Sequence, residues 1–259
     1  MAPLWRRPSV LLGGAALYAG VTFATYVTLY DPKKRADNAA TPAVNDARRL
    51  QVFDMNASKY DKEVDWDERL TGISLMRRFL LGKARGRVLE VAAGTGRNLA
   101  FYPATAKVVL TDFSRGMLDQ VPKTQQQRLA SCELQVMSAG ELTFPDEHFD
   151  TVVDTFGLCS MDDPVRALQE MQRVCKKDGG SILLLEHGQS NYTWLSGILD
   201  KFADLHAQKW GCHWNRDILA LVEQAGLEVE SVHRVHFGTT YYIVAKPQPR
   251  PGREQKMDE

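Results

Sequence analysis

Between Arg87 and Asn98 the chain reads RVLEVAAGTGRN, an apolar run that ends in two glycines at i and i+2, Gly94 and Gly96. Glycine in such a loop permits positive φ and lets a ligand approach the backbone with no Cβ in the way. The same need shapes nucleotide-binding loops at the carboxyl ends of parallel strands. Twenty-two residues beyond Glu90, a second apolar run ends in Asp112. An ionised carboxylate there accepts both hydroxyls of a ribose, because its oxygens are bidentate acceptors.

The charge on Glu90 separates two kinds of adenosine cofactor. A dinucleotide fingerprint wants a third glycine and a pyrophosphate on a helix N-terminus, whereas here Arg97 and Asn98 follow Gly96. A carboxylate just before the loop repels a pyrophosphate. It suits the cationic amino group or sulfonium of S-adenosylmethionine.

Other chemistry-bearing residues lie further on. Glu186 and His187 follow a fifth apolar run, and His187 is the candidate general base, with packing or capping as its alternative. Asn191 to Asn215 interleaves Tyr192, Trp194, Phe202, Trp210 and Trp214 with His206, Cys212 and His213. That segment reads as a lid over an apolar substrate, a membrane-surface element or extra helical core. Cys132, Cys159, Cys175 and Cys212 form no CxxC pair, so no metal site and no disulfide framework is expected.

Positioning these groups requires alternating strands and helices. Strand patterns fall at 88–91, 108–110, 134–136, 151–153, 181–185, 227–232 and 240–245. Helices are expected over 164–177, opened by Pro164 and closed by Asp178-Gly179-Gly180, and over 216–225, stopped by Gly226. A further helix is expected to begin at the glycine loop. The alternation predicts an α/β fold: a Rossmann-like, seven-stranded, mainly parallel sheet with helices on both faces, the last two strands adding an antiparallel edge.

Val10 to Leu29 carries no charge over a length that spans a hydrocarbon core as a helix, between Arg6-Arg7 and Lys33-Lys34-Arg35. It is expected to be an N-terminal transmembrane helix, with a cleaved signal peptide as the alternative. The chain then divides into a basic segment 1–9, the span 10–29, a linker 30–49, a catalytic domain 50–247 and a tail 248–259. No acidic residue precedes Asp31, which suits import to the mitochondrial inner membrane and equally an endoplasmic reticulum anchor. The first 50 residues hold seven Lys/Arg and three Asp/Glu, so in a neutral chain the rest carries −4. Nucleic-acid partners are therefore disfavoured.

The segments VLEVAAGTGRNL, LTDFSRGML, GELTFPDEHFDTVVDTFGLCSMDDP and ALQEMQRVCKKDGGSILLLEHG resemble class I S-adenosylmethionine-dependent methyltransferases of the methyltransferase-11 type. Within that group WGCHWNRDI and HFGTTYYIVAKP are most similar to mitochondrial inner-membrane methyltransferase-like proteins. The resemblance covers about residues 50–247. It implies S-adenosyl-L-methionine as cofactor, with Glu90, Ala92, Ala93, Gly94, Thr95, Gly96 and Asn98 on its methionine and ribose side. Asp112 would hold the ribose, Phe113 and Met117 would flank the adenine, and Ser138 and Ala139 would meet its edge. Thr155 to Leu158 would close the pocket, under a lid formed by Tyr60 and Asp61. Ala92 stands where a first glycine is commoner, which is tolerable if its φ stays negative.

The expected activity is that of a membrane-anchored methyltransferase acting on a small lipophilic acceptor, with membrane lipid around residues 10–29. The alternative is an inactive methyltransferase-like assembly factor of a mitochondrial membrane complex.

Overall fold

The computed structural model describes residues 46–248. Helices α1 (Asp46–Thr71) and α2 (Ile73–Leu81) lead into β1 (Arg87–Val91), a 3₁₀ turn (Leu99–Phe101) and β2 (Lys107–Asp112). Short helices α3 (Arg115–Leu118) and α4 (Lys123–Gln126) precede β3 (Ser131–Val136) and β4 (Thr151–Thr155). A second 3₁₀ turn (Leu158–Ser160), α5 (Pro164–Val174) and β5 (Ser181–His187) follow, then α6 (Thr193–Trp210), α7 (Ile218–Gln224), β6 (Glu228–Val235) and β7 (Thr240–Lys246).

The strands form one seven-stranded sheet in the order β3-β2-β1-β4-β5-β7-β6. Strands β1 to β5 pair in parallel, and β7 runs antiparallel to both β5 and β6. Central strands are buried on both faces, so their residues read as continuous apolar runs. Leu89, Val91, Val152 and Leu184 face α5 and α7, packing on Leu168, Met171, Ile218 and Val222. Val88, Leu110, Val153 and Leu183 face the other way, onto Leu80 and Leu81 of α2 and onto Leu99 and Val121. The chain order reverses between β1 and β4, which opens a crevice at their carboxyl ends, where open α/β sheets place ligands.

Two helix ends differ from expectation. Asp163 caps α5 by accepting from the Arg166 N–H, with Pro164 in the first turn, but the helix stops at Val174. Cys175 is already extended there and bridges Phe149 beside β4, so sheet pairing ends the helix before its glycines do. After β1 the glycine loop leads into turns and the 3₁₀ turn instead of a full helix.

Among the described residues no helix is long and apolar enough to cross a membrane. The two long helices are charged through their middles, α1 by Asp54, Lys59, Asp61 and Lys62 and α6 by Asp200, Lys201 and Asp204. Residues 10–29, expected to span a membrane, lie outside the described residues. The architecture is accordingly corrected to a seven-stranded mixed, mostly parallel Rossmann-like sheet with flanking helices, and no transmembrane helix among the described residues. The membrane-anchored activity, the lipid partner, the membrane complex and the inner-membrane or reticulum location find no support among the described residues and are not carried further.

Beside the crevice, Arg77 of α2 is 5% exposed, on the face that buries Leu80 and Leu81. Its guanidinium donates to both carboxylate oxygens of Glu68 on α1 (2.8 and 3.1 Å), to Asn98 Oδ1 (2.8 Å) and to Thr155 Oγ1 (2.7 Å). It also lies 5.1 Å from the Phe156 ring centroid. Breaking a buried, paired charge costs about 3–5 kcal/mol, because the partner is left in the interior without its counter-ion. Arg77→Leu is expected to lower unfolding stability in urea by about 3 kcal/mol, and a loss below about 0.5 kcal/mol would show that the network carries no weight.

Candidate active site

A cavity of 370 Å³ opens at the carboxyl ends of β1, β2 and β4. Glu90, Ala92, Ala93, Gly94, Thr95 and Asn98 line it from the β1 side, and Asp112, Phe113 and Met117 from the β2 side. Ser138 and Ala139 follow β3, Thr155 ends β4, and Tyr60 enters from α1. These expected site residues therefore meet in one place.

Two carboxylates on the wall, Asp112 and Glu90, are held from behind. Asp112 Oδ2 accepts the Gly94 N–H and Oδ1 the Ser114 N–H, both at 2.8 Å. Each oxygen keeps a further lone pair for a hydroxyl donor. Glu90 accepts from Tyr102 Oη (2.6 Å) and Asn98 Nδ2 (2.9 Å), which fix its rotamer beneath the loop. Burial raises both acids, Asp112 to about 6 and Glu90 to about 7, against the hydrogen bonds that favour their ionised forms.

Helix α1 straps the cavity by three side chains. Arg49 pairs with Asp162 on the loop after β4, and Asp54 accepts from Ser114 Oγ and the Gly116 N–H after β2. Asp61 accepts from Thr95 Oγ1 (2.6 Å) and Arg97 (3.0 Å) after β1. Arg97 also pairs with Asp65 and Glu68, which ties the strap to the Arg77 network. Tyr60 sits next to Asp61 at the end of this span, and burial pushes its hydroxyl up to about 12, so it enters the cavity as a neutral phenol.

Three expected site residues stand off the wall. Gly96 has φ +76°, and a Cβ there would fall 2.9 Å from Val121 Cγ1, so core packing accounts for this glycine. Leu158 is fully buried in the core cluster. His187 lies behind Phe156, ring centroids 5.3 Å apart, with Nε2 2.7 Å from Cys212 Sγ. Ala92 corrects a further expectation, since its φ is +48°. It abuts Gly157, where any Cβ would fall 2.7 Å from that of Ala92 and 2.2 Å from Asp154 Oδ1.

The spacing argument passed over Arg77, Arg97 and Phe53, which also line the cavity. Arg77 had a legible signal, a cation on the apolar face of ISLMRRFLL. Phe53 had none; it meets Phe113 edge-on at 5.8 Å only because α1 docks there. Aromatic segment 191–215 divides: Phe202, Ala203 and Ala207 of α6 are buried core, whereas Tyr192 and Trp194 are exposed.

Residues 89–183 match the family model described as "Methyltransferase domain". The chain is 32% identical over 226 residues to "Methyltransferase OMS1, mitochondrial" of Saccharomyces cerevisiae, covering 80% of this chain and 47% of that protein. It is 44% identical over 104 residues to the phosphatidylethanolamine N-methyltransferase of Cereibacter sphaeroides, covering 39% and 51%. The chain thus spans about half the length of these relatives. A crystal structure of a SAM-dependent methyltransferase from Thermotoga maritima superposes with TM-score 0.59 at 20% identity, over 77% of this chain and all of that one. That likeness is one of fold.

Two outcomes follow from the site's strain and charge. Ala92→Gly is expected to raise stability in urea by about 1 kcal/mol, since left-handed backbone penalises a Cβ; an unchanged or lower midpoint would contradict the strain. Glu90 keeps its proton to about pH 7 in the folded chain, against 4.5 as its ordinary value. The unfolded chain therefore binds fewer protons in that window, and stability falls as pH rises through it. Urea midpoints measured from pH 5 to 8 are expected to decline less in Glu90→Gln than in the wild type, and parallel profiles would contradict the raised acid.

Proposed function

We propose that this chain, which carries a class I S-adenosylmethionine-dependent methyltransferase domain, binds that cofactor in the cavity and transfers its methyl group to a small-molecule acceptor. The observation that carries the reading is Asp112. Its carboxylate is fixed at the end of β2 by two backbone N–H groups, one of them from the glycine loop that it faces. The donor set fits the cofactor: a bidentate acceptor for ribose hydroxyls at Asp112, and apolar Phe113 and Met117 for an adenine face. Ser138 offers a hydroxyl for the adenine edge, and Glu90 an acid beside the cationic end.

The cofactor supplies a methyl group on a positively charged sulfur, which a nucleophile displaces when aligned with the carbon–sulfur bond. The protein's part is to position and to exclude water. Helix α1, held at Asp54 and Asp61, covers the loops on either side, and Tyr60 presents a neutral phenol to the cavity.

Calorimetry of the full chain at about pH 7.5, above the value near 6 to which burial raises Asp112, is expected to show one S-adenosylmethionine site. Asp112→Ala is expected to weaken it about 10- to 100-fold, the loss of hydrogen bonds to a charged group. Wild-type chain that takes up no cofactor, or an Asp112→Ala chain that binds as tightly, would overturn the reading.

A further inference from the structure

Behind the cavity wall, three separate segments bring together soft metal ligands that sequence spacing gave no reason to associate. Cys159 sits in the 3₁₀ turn after β4, His187 ends β5, and Cys212 follows α6. One ligand atom from each, Sγ, an imidazole nitrogen and Sγ, lies within 4.8 Å of the others. Their backbones are fixed by the fold around them. Gly211, at φ +72°, ends α6 and turns the chain toward Cys212, and the His213 N–H donates to the Cys159 carbonyl at 2.8 Å. His187 is held by strand pairing to Thr240.

A second observation points to a cation at the same place. Asp154 and Glu186 are fully buried beside each other, and none of their four carboxyl oxygens makes a well-formed hydrogen bond. Unpaired buried polar groups are costly, and a cluster of them marks a missing partner. The Asp154 carboxyl faces the turn that carries Cys159, since a Cβ on Gly157 would fall 2.2 Å from its Oδ1.

We infer that Cys159, His187 and Cys212 form a binding site for a zinc-class divalent cation, with Asp154 and Glu186 as the carboxyls behind it. Two thiolates and an imidazole select zinc over magnesium or calcium, which prefer oxygen. Zinc–sulfur and zinc–nitrogen bonds of about 2.3 and 2.0 Å bring such atoms onto one ion after modest side-chain rotation. Binding releases the two thiol protons to solvent and leaves a neutral ion–thiolate unit, which the interior accepts. A Cys159–Cys212 disulfide would use both sulfurs yet leave His187 without a role. Three protein ligands leave one coordination position, as in open zinc sites. Cys159 adjoins Ser160, and His187 lies at a tilt beside Phe156; Ser160 and Phe156 belong to the cavity wall.

The test uses the full chain, purified anaerobically with reductant, dialysed, and assayed for metal by mass spectrometry. One zinc per chain is expected. Cobalt(II) in its place is expected to give a thiolate charge-transfer band and the visible absorption of tetrahedral coordination. Cys159→Ser, Cys212→Ser and His187→Ala should each lose at least tenfold in zinc affinity, whereas Cys132→Ser and Cys175→Ser keep it. Should a ligand variant fail to fold by circular dichroism, the cobalt spectrum of the wild type decides. Substoichiometric zinc with no charge-transfer band, a Cys159–Cys212 disulfide in the anaerobic protein, or full affinity in folded ligand variants would overturn the site. S-adenosylmethionine calorimetry on zinc-free chain is a separate readout, so failure of the metal site and failure of the cofactor reading are distinguishable.

Discussion

The Arg77 guanidinium sits almost out of water, and three pieces of chain converge on it: α1 through Glu68, the loop after β1 through Asn98, and the end of β4 through Thr155 and the ring of Phe156. An isolated charge in that position would be prohibitive, so its partners are bound as a set. Asn98 passes the constraint on, donating to Glu90 under the glycine loop and to Thr155 across the crevice. Both sides of the β1/β4 switch are thereby fixed by one cation. Glu68 carries the same constraint to Arg97, and Arg97 carries it to Asp61, so the strap over the cavity and the floor beneath it share one network.

That network explains which parts of the site the sequence disclosed. The glycine loop and Asp112 are local: a strand, a turn and an acid at the end of the next strand leave their signature within a short stretch. The strand runs and the reversed final pair were legible for a similar reason, because strands buried on both faces are continuously apolar. The strap was not legible. Arg49, Asp54 and Asp61 reach loops far along the chain, and charged residues on a long polar helix read as an ordinary solvated face. Ala92 shows the converse, a position whose side chain was evident but whose backbone was not. Its left-handed φ follows from the loop it opens, and Gly157 supplies the space its Cβ needs.

The cysteines mark the limit of spacing arguments most clearly. Metal motifs are recognised when ligands come as close pairs on one turn. Here a 3₁₀ turn, a strand end and a helix terminus each contribute one residue, and only the β4-β5 pairing and the end of α6 bring them together. The apolar stretch before residue 30 lies outside the described residues. Its length and lack of charge supported an expectation about location, and none of the described helices carries that expectation forward.

The central claim is that the crevice wall and its strap together form one cofactor site. Hydrogen exchange of the full chain, with and without S-adenosylhomocysteine, tests it most directly. The account predicts slowed exchange at Gly94–Asn98, Asp112–Met117, Ser138–Gly140 and the 53–61 stretch of α1, with β6 and β7 unchanged. Protection confined to other segments, or loops that exchange equally fast with and without the ligand, would contradict it.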